Sequence, residues 1–69
     1  MKNLKLKAAR KQSCKTQAQV AKEIGIAEIA YRTYERGTRT PNVLTAIKIA
    51  DTLGVKDLRE LWRDTAETL

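Results

Sequence analysis

The chain has 69 residues, 14 of them Lys or Arg and 8 Asp or Glu, for a formal net charge of +6. That length holds one domain (1–69) with a small core, and the basic excess draws polyanions, nucleic acid or an anionic membrane surface. With no His and the single Cys14, the usual zinc spacings, an internal disulfide and a His-activated thiol nucleophile are all excluded.

Gly25, Gly37, Gly54 and Pro41 punctuate stretches of helical periodicity, and no alternating β-branched run reads as a strand. Helix 1 is predicted over about 4–12, where Leu6 and Ala9, with Ala8 beside them, make a narrow apolar stripe among lysines. Helix 2 spans 16–24: Thr16-Gln17-Ala18-Gln19 fits a capping box, Val20, Ala21 and Ile24 form its inner face, and Gly25 stops it. Helix 3 spans 27–36, with Ala27, Ala30, Tyr31 and Tyr34 on one side and Glu28, Ile29, Arg32, Thr33 and Arg36 on the other. A polar, basic loop follows from Gly37 to Pro41. Helix 4 spans 42–53 behind an Asn42 N-cap, with Val43, Ala46, Ile47, Ala50 and Leu53 as its inward stripe. Helix 5 spans 57–67, opens on the capping-box-like Asp57-Leu58-Arg59-Glu60, and aligns Leu58, Leu61, Trp62, Thr65 and Leu69 on one face.

The expected fold is all-α, a compact five-helix bundle in which helix 2, a tight glycine turn and helix 3 have the dimensions of a helix-turn-helix. Its expected core is Leu6, Ala9, Val20, Ala21, Ile24, Ile26, Tyr31, Tyr34, Val43, Ala46, Ile47, Ala50, Leu53 and Leu61. In such a unit the second helix enters the DNA major groove. The outer set on helix 3 mixes charge, hydroxyl and apolar groups, as the reading of base edges requires. A plain surface helix has the same two-sided pattern.

Thr16-Gln17 through Gly25-Ile26, then Tyr34-Glu35-Arg36-Gly37, Arg39, Pro41 and Ile49-Ala50 through Leu53-Gly54-Val55, resemble the lambda-repressor-like, Cro-type (XRE family) helix-turn-helix proteins, from about Leu6 to Leu61. The resemblance implies base contacts by Glu28, Ile29, Arg32 and Thr33, and phosphate contacts by Arg10, Gln17, Arg36, Thr38, Arg39 and Thr40. It implies that Arg10 and Glu35 form a salt bridge that holds the Arg near a phosphate; a purely structural pair is the rival reading. Gln19 reads as a cap, and Tyr31 and Tyr34 as core residues in preference to base-stacking platforms. The lysines 2, 5, 7, 11 and 15 read as a solvated face.

The chain departs from the family pattern in places. Ala27 stands where a capping Ser or Thr is usual, a cost of about 1 kcal/mol that Glu28 partly offsets through the helix dipole. Lys15 replaces an apolar residue whose gap Cys14 is expected to fill, and the segment from Val55 to Leu61 is one residue longer than the common pattern.

The function expected is a sequence-specific regulator of transcription, a phage-type or mobile-element repressor that binds double-stranded DNA as a homodimer on a two-fold operator. The dimer surface is expected at Leu58, Trp62, Thr65 and Leu69, with Trp62 as anchor; the rival for Trp62 is a lid on the monomer's own core. A protein-interaction module, an antitoxin or adaptor on the same bundle, is the alternative function. No enzyme, cofactor, metal, membrane contact or small-molecule ligand is expected. A lone Cys and the lack of a signal peptide or membrane span fit a cytoplasmic protein.

Overall fold

A computed structural model describes residues 2–62. Four helices run in chain order: α1 (Leu4–Gln12), α2 (Gln17–Ile24), α3 (Glu28–Arg36) and α4 (Val43–Leu53). A further helical turn opens over 59–62, and the rest of the predicted helix 5 lies outside the described residues. The described residues hold no strand, and none of their helices is long and apolar enough to cross a membrane.

The predicted start signals are made as drawn. Thr16 Oγ1 accepts from Gln19 N at 3.1 Å while the Gln19 side chain accepts from Thr16 N at 2.8 Å, so both arms of the capping box exist. Asn42 caps α4 by accepting from Thr45 N at 2.8 Å. Ala27 supplies no side-chain cap to α3, as expected of a methyl group. The predicted box at Asp57 is different: its carboxylate accepts from the backbone N–H of Arg59 and pairs with that residue's guanidinium.

Gly25, Ile26 and Ala27 join α2 to α3. Gly25 takes the left-handed conformation at φ +78°, and a Cβ there would meet nothing within 4 Å, so the demand for glycine comes from its own backbone. Ile26 N then donates to Ala21 O at 3.0 Å and closes the end of α2.

α2 packs against both α3 and α4, and α1 against α3. Leu6, Val20, Tyr31 and Ile49 are fully buried at the centre, with Ala21, Ile24, Ala46, Ala50, Leu53 and Leu61 around them. Burying each large aliphatic side chain stabilises the fold by about 1.5–3 kcal/mol. Ala9, Ile26 and Tyr34 pack partly buried against this core.

The inward stripe of α4 differs from the expected one. Val43 and Ile47 are 70% and 41% exposed, and Ile49 is fully buried in their place. Apolar residues occupy positions 43, 44, 46, 47, 49, 50 and 53, more than half of the helix circumference, so periodicity allows two rotations about the axis. Ala46, Ile49, Ala50 and Leu53 repeat at steps of three and four, and their small and medium side chains let α4 approach α2.

The loop after α1 holds two more corrections. Cys14 does not fill the gap left by Lys15: it is exposed, with a left-handed backbone at φ 57°. Lys15 itself spans the gap, donating from Nζ to Glu23 Oε1 at 2.8 Å and to Thr52 O at 3.1 Å. It therefore belongs to the inter-helix packing and not to the solvated lysine face.

Candidate nucleic-acid interface

α3 turns Tyr31 and Glu35 inward and presents Glu28, Ile29, Arg32 and Thr33 on its other side. Ile29 is 74% exposed, an isolated apolar side chain with no intramolecular reason to face water. Arg32 and Glu28, one helical turn apart, form an ion pair at 2.6 Å that stays open to solvent. Thr33 donates its hydroxyl to Ala30 O at 2.6 Å, which leaves only acceptor capacity and a methyl group for anything outside.

Behind this face sits a buried clamp. Arg10 reaches from α1 and donates from Nε to Glu35 Oε2 at 2.6 Å, from one terminal nitrogen to Glu35 Oε1 at 3.3 Å, and from the other to Lys15 O at 2.9 Å. Gln17, the first residue of α2, donates its amide to Glu35 Oε1 at 3.1 Å. One carboxylate thus ties together α1, α2 and α3. Burial pushes the Glu35 carboxyl up, but the hydrogen bond from Arg10, helped by the neighbouring Tyr31 hydroxyl and the Gln17 amide, outweighs it and holds the group below the usual carboxylate range. The same bond raises Arg10 above the ordinary guanidinium value. The expected pair is present, and it acts in the architecture whatever else it touches.

Tyr31 fills the floor beside this clamp and meets Tyr34 edge-on, ring centroids 6.4 Å apart. Its hydroxyl is buried beside the Glu35 carboxylate without a well-aligned hydrogen bond, and burial first, then that carboxylate, drives its acidity far down. Both tyrosines lie in or against the core, so neither offers a free stacking face.

On one flank of α3 lies the N-terminus of α2. The Gln17 side chain is committed to Glu35 and the Gln19 N–H to the Thr16 hydroxyl, so any anion here meets the backbone N–H groups of Gln17 and Ala18. On the other flank Arg36, Thr38, Arg39 and Thr40 are all exposed, with Thr38 Oγ1 donating to Thr33 O at 3.3 Å.

Of the predicted dimer residues, Trp62 lines one cavity with Arg39 and Thr40 of the basic loop. Leu58 and Trp62 pack partly buried against the core, so Trp62 serves at least in part as a lid; Thr65 and Leu69 lie outside the described residues. Three positioning residues escaped the reading of the sequence. Asn3 caps α1, donates its side-chain amide to Leu61 O at 2.8 Å and its backbone N–H to Glu35 O at 2.8 Å, so it links α1 to both α3 and the turn at Leu61. Ser13 donates to Leu53 O at 3.0 Å, and Lys15 bridges to Glu23 and Thr52. Asn3 had a legible signal, a capping residue before a helix; Ser13 and Lys15 had none, because their partners are distant in sequence.

A family model described as helix-turn-helix matches residues 6–61. The cryptic phage CTXphi transcriptional repressor RstR of Vibrio cholerae is 48% identical over 46 residues, which are 67% of this chain and 41% of that protein. The uncharacterized HTH-type transcriptional regulator YqaE of Bacillus subtilis is 44% identical over 50 residues, 72% of this chain and 43% of that protein. The chain thus spans less than half the length of either relative. No solved structure matches it.

Proposed function

The chain belongs to the helix-turn-helix family, and we propose that it is a transcriptional repressor of phage type that binds a two-fold operator in double-stranded DNA as a homodimer. The observation that carries this reading is the face of α3: Ile29 and Arg32 stand exposed on it, flanked by the exposed basic loop at Arg36 and Arg39 and by the N-terminus of α2. In the major groove, Arg32 donates to a base edge, Ile29 meets a thymine methyl and Thr33 adds its methyl and an acceptor. Gln17, Arg36, Thr38, Arg39 and Thr40 meet phosphates on either side, with Arg10 behind Gln17.

One such helix reads only a few base pairs, and a mate places a second helix about 34 Å away, one turn of DNA. Leu58, Trp62, Thr65 and Leu69 are proposed as the dimer surface. Sedimentation of the wild type and Trp62→Ala checks it: a folded variant that turns monomeric supports that surface, and two monomers at micromolar concentration sink it.

The test of the main reading is selection of bound sites from random duplex DNA, followed by titrations. Arg32→Ala should relax preference at one base pair by roughly tenfold or more. Arg39→Ala should weaken binding to every sequence alike and flatten its salt dependence by about one phosphate contact. Equal losses from both variants argue against the division of labour. One observation favours a second reading, a protein-interaction module: Val43, Leu44 and Ile47 form an uncovered apolar row on α4. Absence of salt-dependent duplex binding would favour it.

A further inference from the structure

An acid on a face that meets a polyanion weakens the attraction and calls for a reason. Glu28 is that acid, and its Oε2 lies 2.6 Å from a terminal guanidinium nitrogen of Arg32. Of the four residues assigned to base edges, Glu28 as a carboxylate and Ile29 have no side-chain donor, and Thr33 spends its hydroxyl hydrogen on Ala30 O. Among these four, as distinct from Arg36 of the phosphate-facing flank, Arg32 alone has N–H groups left over, so their recognition of an acceptor-bearing base rests on where its guanidinium points.

We propose that Glu28 is a positioning residue for sequence reading: it holds Arg32 over the outward face of α3, directed at guanine and withheld from phosphate. The proposal rests on the duplex-DNA reading above and adds to it. The carboxylate takes one N–H of the guanidinium and leaves others for the N7 and O6 acceptors of guanine, whose bidentate contact with Arg is directional. It also neutralises the guanidinium locally. A phosphate, which attracts chiefly through charge, loses most by this, and a base edge loses least. Fixing a long side chain before binding removes part of the entropy cost of ordering it on the DNA. The pair stays exposed at 40% and 50% of its side-chain surface, so the groove edge can reach it.

The experiment compares wild type, Glu28→Gln, Arg32→Ala and the double variant on the selected site, on its single-base-pair changes and on random duplex, across a salt series. Melting curves check that each variant is folded. Expected is loss of preference at the same G·C pair in Glu28→Gln and Arg32→Ala, by roughly tenfold or more. Glu28→Gln should also bind random duplex more tightly, with its log–log salt slope steeper by about 0.9 as Arg32 moves to a phosphate. The double variant should show no further loss of preference beyond Arg32→Ala. If Glu28→Gln instead loses preference at a different base pair from Arg32→Ala, Glu28 reads a base itself and the proposal is overturned. An unchanged salt slope with unchanged preference overturns it as well. A wild-type protein that selects no site removes the DNA reading, and this inference with it.

Discussion

Arg10 and Glu35 meet at 2.6 Å between α1 and α3; Arg32 and Glu28 meet at 2.6 Å on the outer surface of α3. The contacts are chemically alike and their surroundings are not. The first pair keeps 12% and 6% of its side-chain surface exposed, the second 50% and 40%. Buried, the Arg10 fork also holds Lys15 O, and Glu35 also accepts from Gln17, so each charge is committed to several partners. Such a group cannot be removed singly without stranding the rest. In water, the outer pair can open and close at little cost and is available to a ligand. Burial therefore makes one ion pair a structural joint and leaves the other an adjustable part of the surface.

The largest effect that can break this contrast is expected from Glu35→Ala. It leaves the Arg10 charge and the Gln17 amide without their acceptor in a buried place and should cost about 3 kcal/mol or more in urea unfolding at neutral pH. A loss below about 1 kcal/mol would put this pair in the class of surface contacts.

Acid titration sharpens the comparison. Glu35 is held below its ordinary value in the folded state, so the unfolded chain takes up this proton first as pH falls. The contribution is complete above the unfolded value of about 4.3 and is lost as pH drops through the lower folded value. Melting curves between neutral pH and strong acid should therefore show the stability gap between wild type and Glu35→Gln shrinking in that window. A gap that is constant with pH would contradict the assignment.

Glu28→Gln is expected to cost only about 0.5–1 kcal/mol, from one exposed helical pair and one charge at a helix N-terminus. Added salt distinguishes the two pairs further: near 1 M the Debye length falls to about 3 Å, so the Glu28 effect should fade while the Glu35 effect persists. The smallest change is expected from Tyr31→Phe. The hydroxyl removed lies beside Glu35 without a well-aligned hydrogen bond, so stability should shift by no more than about 0.5 kcal/mol, in either direction. A loss well beyond 1 kcal/mol would enlist Tyr31 in the clamp.

Legibility in the sequence followed the range of the interactions. The limits of the first four helices came within a residue of those observed because caps and left-handed glycines act over one turn: Thr16 with Gln19, Asn42 with Thr45, and Gly25, Gly37 and Gly54 at helix ends. The outward set on α3 was readable for the same reason, since an inner side of Ala27, Ala30, Tyr31 and Tyr34 leaves Glu28, Ile29, Arg32 and Thr33 on the other; the structure adds Glu35 to the inner side and exposes Ala27. The Arg10–Glu35 bridge came from the family resemblance and not from spacing.

By itself, the sequence determined the helical class, the tight turn between α2 and α3, and which side chains α3 shows to solvent, because each depends on neighbours within about a turn. Only the tertiary structure decided the rotation of α4 that buries Ile49 and exposes Val43 and Ile47, since a helix apolar over more than half its circumference takes its inward face from its neighbours. It decided in the same way that Lys15 closes a gap while Cys14 faces water, and that Gln17 spends its amide on Glu35. Those outcomes depend on residues far apart along the chain, and packing alone brings them together.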